Sequence, residues 1–202
     1  KDEEAPLFVT ANPPYESTNF DEDEIRIEFD EYVTLKDLNK QLVVSPPMKN
    51  PPLITPQGTP SDFIDIEIID TLKANTTYIL NFGNAVQDNN EGNQLENFKY
   101  VFSTGSYIDS LTTFGTIKDA ELLETPRSVN VLMYRIDSTF NDSIIYKRKP
   151  DYVTSTLDTT NYNFTNLRKG NYLLLALKEP LIDYIFNSKP AKIGFYKDTI
   201  QL

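Results

Sequence analysis

Cysteine, histidine and tryptophan are all absent from this 202-residue chain. Without histidine there is no side chain that titrates near neutrality by default, and the commonest general acid–base is missing. Nucleophile systems of the Ser–His–Asp and Cys–His kinds are excluded, as are Cys/His zinc sites. Without cysteine there are no disulfides, which does not by itself locate the chain. Only 7 glycines occur, and none cluster into a phosphate-cradling loop. No apolar run reaches the roughly 18 residues needed to cross a bilayer.

What is present is apolar and acidic. Hydrophobic residues make up 39% and aromatics 12%, with 12 Tyr and 12 Phe, enough for packed cores and suited to pleated surfaces. Residues 1–104 hold 7 Lys/Arg against 19 Asp/Glu, or −12, while residues 105–202 hold 12 against 11, or +1. The acidic half disfavours nucleic acid and anionic lipid as partners. The opening "KDEEAP" has no Met, so the chain reads as a fragment or processed form.

Period-two alternation dominates. "IRIEF" 25–29 and "IDIEI" 64–68 set isoleucines and Phe29 on one face against Arg26, Glu28, Asp65 and Glu67 on the other. "TYILNF" 77–82 and "YVFST" 100–104 read as further strands. The one helical signal is "TLKDLNKQL" 34–42, one or two turns with Thr34 as N-cap. The segment 43–60 carries six prolines, so it reads as an edge strand and loop that blocks aggregation.

Small polar residues in "STGSYIDS" 103–110 mark a boundary, and the strand pattern restarts beyond it. Strands are expected at 110–119, 128–137, 142–147, 151–157, 161–167, 170–178 and 191–196. Tyr172–Leu177 is apolar on both faces. It therefore belongs centrally in a sheet, its second face covered by the first domain or by its own sandwich. The expected fold is all-β, two tandem β-sandwiches over residues 1–104 and 105–202.

"VQDNNEGNQL" 86–95 looks most like a ligand loop. Counted from Asp88, Gly92 stands at position 5 and Lys99 at position 12, where an EF-type calcium loop needs Gly at 6 and Glu at 12. Asp88, Asn90 and Glu91 offer a weak cation too few oxygens for a cage. The preferred reading is a turn, with Asn and Gly taking left-handed backbone. Paired carboxylates such as Asp65 and Glu67, residues 21–24 or Asp30 and Glu31 face solvent, with nothing to desolvate an acid. Lys147, Arg148 and Lys149 beside Tyr146 and Tyr152 read as a charged hairpin tip ending at Pro150, or as a docking patch in which Arg stacks on Tyr.

Two stretches carry family likenesses. "FDEYVTL", "NKQLVVSPP" and "LKANTTYILNFGNAVQDNNEGNQLENFKYVFSTG" resemble the bacterial Ig-like domain of S-layer proteins and Bacteroidetes-type envelope lipoproteins over residues 5–104. The resemblance implies a tyrosine corner in "LKANTTY" 72–78, with the Tyr78 hydroxyl reaching back to backbone just upstream and Leu72 sealing the sheet ends. "TLDTTNYNFTNLRKGNYLLLALK" 156–178 resembles prealbumin-like (transthyretin-like or Cna-B-like) modules, matching at Asn166, Leu167, Gly170 and Tyr172. The usual turn Gly is replaced by Thr160 and Asn161, and the turn survives because Asn161 can take left-handed backbone. Where relatives carry an Asp/Asn-rich segment, Glu179 and Asp183 make a poor cation site.

These likenesses imply a non-catalytic structural or interaction module of an exported cell-envelope lipoprotein, in the periplasm or at the outer-membrane surface. A protein or glycan partner is expected, no nucleic acid, and membrane contact only through a lipid anchor outside this stretch. No residue is assigned a catalytic, cofactor-binding or metal-ligating role. The alternatives are a carbohydrate-binding module or a carboxylate-based hydrolase.

Overall fold

The computed structural model describes residues 3–119, 128–157, 159–179, 183–187 and 191–202. It separates into two compact units, Lys1–Val44 with Met48–Ile108, and Ser45–Pro47 with Asp109–Leu202. The fold is all-β. A single short α-helix, α1 (Leu38–Gln41), and one 3-10 turn are the helical elements among the described residues.

The first unit is a β-sandwich. One sheet runs β1 (Phe8–Asn12), β2 (Glu24–Leu35), β5 (Ser61–Glu67) and β4 (Leu53–Thr55), with β7 (Val86–Asp88) pairing the far end of β2. The other runs β3 (Val43–Ser45), β6 (Thr77–Gly83) and β8 (Phe98–Ser103). The antiparallel register of β2 on β5 pairs Ile25 with Ile66 and Ile27 with Ile64, and all four are essentially fully buried. They meet Tyr78, Leu80, Phe82, Tyr100 and Phe102 in one core. Each such side chain removed from water contributes about 2 kcal/mol as an upper bound. The residues between them on β2 and β5, Arg26 and Asp65 among them, are left on the outer face, so the alternation read from sequence is a direct statement of which side each residue occupies.

Edge strands sit where the prolines are. β3 leads into Pro46 and Pro47, and β4 is bracketed by Pro51, Pro52 and Pro56, so both edges lack a continuous row of donors. β8 is protected differently. Residues 16–20 run alongside it: Glu16 N–H donates to the Val101 carbonyl at 2.8 Å, and Ser103 N–H to the Ser17 carbonyl at 2.9 Å.

The tyrosine corner is present. Lys73 N–H donates to the Tyr78 hydroxyl at 2.8 Å, and Leu72 packs against the core beside it. Tyr78→Phe keeps the ring and removes this bond, so the first unit is expected to lose about 1–1.5 kcal/mol in a urea titration.

In the second unit β10 (Asn130–Arg135) and β13 (Asn171–Lys178) form the centre of a sheet flanked by β11 (Tyr152–Ser155) and β14 (Lys192–Phe195). A short strand not read from sequence, β15 (Ile200–Gln201), pairs the start of β13. Against this sheet packs the pair β9 (Leu111–Thr116) and β12 (Asn161–Leu167), with Val131, Met133, Tyr172 and Leu174 meeting Tyr162, Phe164 and Leu167. A Cβ on Gly115 would collide with the Tyr162 ring, so the glycine is what lets that ring lie across β9. The other face of the central strands, Leu132, Tyr134, Leu175 and Leu177, is buried as well.

Three local expectations are corrected. Thr34 does not cap a helix: it lies within β2, and α1 starts after Asp37, whose left-handed backbone at φ 50° and carbonyl begin the turn. Residues 142–147 are not a strand. Ile144 and Ile145 sit instead, both buried, in the 3-10 turn Ile144–Tyr146. Asn141 starts it, its Oδ1 accepting from the Ser143 N–H at 3.2 Å and hydroxyl at 2.6 Å. Asn161 is not left-handed either. It opens β12, and the positive φ nearby belongs to Leu157 at 48°.

Candidate functional site

The 86–95 loop is organised around one carboxylate. β7 carries Asp88 to the end of a strand, where it is 3% exposed. Its Oδ1 accepts the N–H groups of Asn90 at 2.8 Å, Glu91 at 2.6 Å and Gly92 at 3.1 Å, and its Oδ2 that of Asn93 at 2.8 Å. Burial alone would raise the Asp88 pKa; the four amides outweigh it and hold the carboxyl below its usual range. Gly92 takes the left-handed backbone at φ 79°. Asp88 N–H also donates back to the Asn93 carbonyl at 3.0 Å. The carboxylate that a cation would need is thus engaged by backbone donors.

On the outer face of the five-stranded sheet the register lines up Asn12, Arg26, Asp65 and Thr55 across four strands. The next row is Glu24, Glu67 and Leu53. Together these rows line a shallow groove of ≈ 540 Å³. Arg26 grips Asp65 in a two-pronged bond at 2.7 and 2.8 Å, and its guanidinium lies 4.1 Å from the centre of the Phe63 ring. The bond to Asp65 raises the Arg26 pKa further. Both Asp65 carboxylate oxygens are thus engaged by one guanidinium. Asp30, another of the acidic residues read from sequence, accepts the Leu7 N–H at 2.7 Å.

The basic–aromatic cluster is dispersed, which corrects the expectation of one hairpin tip. Arg148 pairs with Asp151 at 3.0 Å and lies 5.5 Å from the ring centre of Tyr134, not over Tyr146 or Tyr152. Tyr146 packs on Phe186 at 5.3 Å. Tyr152 turns inward, its hydroxyl accepting the Arg168 N–H at 3.2 Å. The alternation of β11 separates Tyr152 from the charged residues before Pro150.

Sequence reading missed a second tyrosine corner. The Tyr172 hydroxyl donates to the Arg168 carbonyl at 2.8 Å, and Gly170 leaves room beneath the ring. Arg168 also reaches Asp109 through Nε and Nη2, both at 3.4 Å, and the amide of Asn166, at φ 56°, donates to the Asp109 carbonyl at 3.0 Å. The motif residues Asn166, Gly170 and Tyr172 therefore clamp the beginning of the second unit to the β12–β13 turn.

Glu179, just after β13, is half-buried, and burial pushes its carboxyl up to about 7. The Tyr184 N–H, donated to Oε1 at 3.1 Å, opposes that rise, and the charge of Asp183 adds to it. Its ordinary value is 4.5. Between those values the folded state holds a proton that the unfolded chain has lost. This group therefore adds stability below 4.5 and loses it as pH rises through about 7. Glu179→Gln is expected to flatten that slope, gaining about 1 kcal/mol over the unaltered chain at pH 8 after allowance for solvent screening. Melting temperatures of both at pH 5 and pH 8 check it.

The bacterial Ig-like domain model matches residues 2–104. No curated protein sequence matches the chain. Among solved structures, the N-terminal part of the bacterial S-layer protein SbsC is similar at 13% identity and a TM-score of 0.32, over 85% of this chain and 40% of that one. BcpA, the major pilin subunit of Bacillus cereus, is similar at 12% identity and a TM-score of 0.27, over 98% of this chain and 66% of that one. The chain thus spans less than two thirds of either protein's length.

Proposed function

The chain belongs to the bacterial Ig-like domain family, and from that membership we propose that it is a non-catalytic structural or interaction module of an exported cell-envelope lipoprotein. Its second unit serves as a prealbumin-like companion sandwich. The observation that carries this reading is where the reactive side chains point. Asp88 holds four backbone amides, Asp65 is bound to Arg26, and the Tyr78 and Tyr172 hydroxyls close turns. Polar groups used in this way fix loop geometry, and a group already satisfied by its own fold is poorly placed to turn over a substrate.

A module of this kind works by presenting rigid faces to neighbours at the cell surface, with a lipid anchor supplied outside this stretch. Fractionation of the source bacterium, with radiolabelled palmitate in the medium, tests the placement of the full-length protein. The labelled protein is expected in the envelope fraction. An unlabelled protein in the cytosolic fraction contradicts the proposal.

A further inference from the structure

The outer face of the five-stranded sheet carries a charge imbalance that the fold does not resolve. Register sets Glu24 directly opposite Glu67, and like charges so placed oppose sheet formation. Arg26 follows Glu24 on the same face of β2 and feels its charge, but it is fixed by two bonds to Asp65 and by the Phe63 ring. Moving it to the glutamates would break both contacts. The two carboxylates therefore stand at one end of the groove without an ion pair among the described residues, beside Leu53, which is 52% exposed. An ammonium or guanidinium lowered between them would be neutralised by both, and its methylene stem would lie on Leu53. A calcium ion fits less well, because two glutamates fall short of its six to eight oxygens and Asp65 is already bound.

We propose that this sheet face docks an extended, Lys- or Arg-bearing protein segment, anchored by a cation between Glu24 and Glu67. The inference names the partner chemistry of the interaction module above and rests on that reading. The complement is local as well as general: the −12 of residues 1–104 steers any cation toward this unit, and the groove sets two opposed carboxylates beside an apolar ledge.

The test uses the whole chain and a fluorescent nine-residue peptide alternating Lys and Thr, read by anisotropy and by amide shifts. Binding is expected to shift β2, β4 and β5 amides and to weaken about tenfold in Glu24→Gln/Glu67→Gln. The control, Glu22→Gln/Asp23→Asn, removes the same charge from the exposed turn before β2 and is expected to stay within about twofold. Equal weakening in both variants would show attraction to net charge alone and overturn the proposal. So would absence of binding, or amide shifts elsewhere. None of those results touches envelope placement, which the palmitate experiment reads independently.

Discussion

Replacing Arg168 by alanine is expected to destabilise the second unit by about 2 kcal/mol, because it removes the half-buried partner of a buried carboxylate. The Asp109 side chain is 7% exposed and the Arg168 side chain 33%. Alanine keeps the Arg168 backbone carbonyl that receives the Tyr172 hydroxyl and the N–H that reaches Tyr152, so both of those bonds survive. What disappears is the guanidinium that neutralises a carboxylate taken out of water. Asp109→Asn/Arg168→Met removes both charges and is expected to recover more than half of the loss. Urea unfolding followed by circular dichroism measures both variants. Near-equal losses in the single and double variants would mean that packing, not charge, holds this clamp.

Asp88→Ala is expected to lower the melting temperature of the first unit by roughly 10 °C. Four loop amides lose a charged acceptor at once, and the left-handed turn at Gly92 loses what holds it closed. The pH dependence has a definite sign. Because the folded carboxyl sits below its ordinary 3.8, its contribution is complete above that value and fades as pH falls through the folded one. Asp88→Asn should therefore flatten the acid limb of the stability curve. Calcium at millimolar concentration, or EDTA, should leave the melting temperature of the unaltered protein within about 1 °C, since bound ligand would raise it by mass action.

The sandwich cores were legible because alternation is a local property. Ile25, Ile27, Ile64 and Ile66 declare their buried side without knowledge of their neighbours, and proline marks β3 and β4 as edges by chemistry alone. Tyr78 was legible because its partner is five residues away within one motif. Contacts fixed by register or by distant pairing were not. Arg26 meets Asp65 across 39 residues, and Arg168 meets Asp109 across 59. Nothing in the sequence says which outward residue of β2 faces which of β5, so the opposed Glu24 and Glu67 were invisible as a pair. Lys147–Lys149 failed as a cluster because neighbours in sequence diverge when one enters a strand. Ile144 and Ile145 resembled a strand because β-branched residues favour extended backbone, whereas Asn141 starts a 3-10 turn there through its carbonyl and side chain.

The claim beneath all of this is that polar loop residues serve the backbone of the fold. Amide hydrogen exchange at Asn90, Glu91, Gly92 and Asn93 tests it most directly, because these four lie on a surface loop yet donate to one carboxylate. The account predicts protection of at least about a hundredfold over a flexible peptide, unchanged by calcium and abolished in Asp88→Ala. Exchange as fast as in an unstructured chain, or protection that appears only when calcium is added, would contradict it.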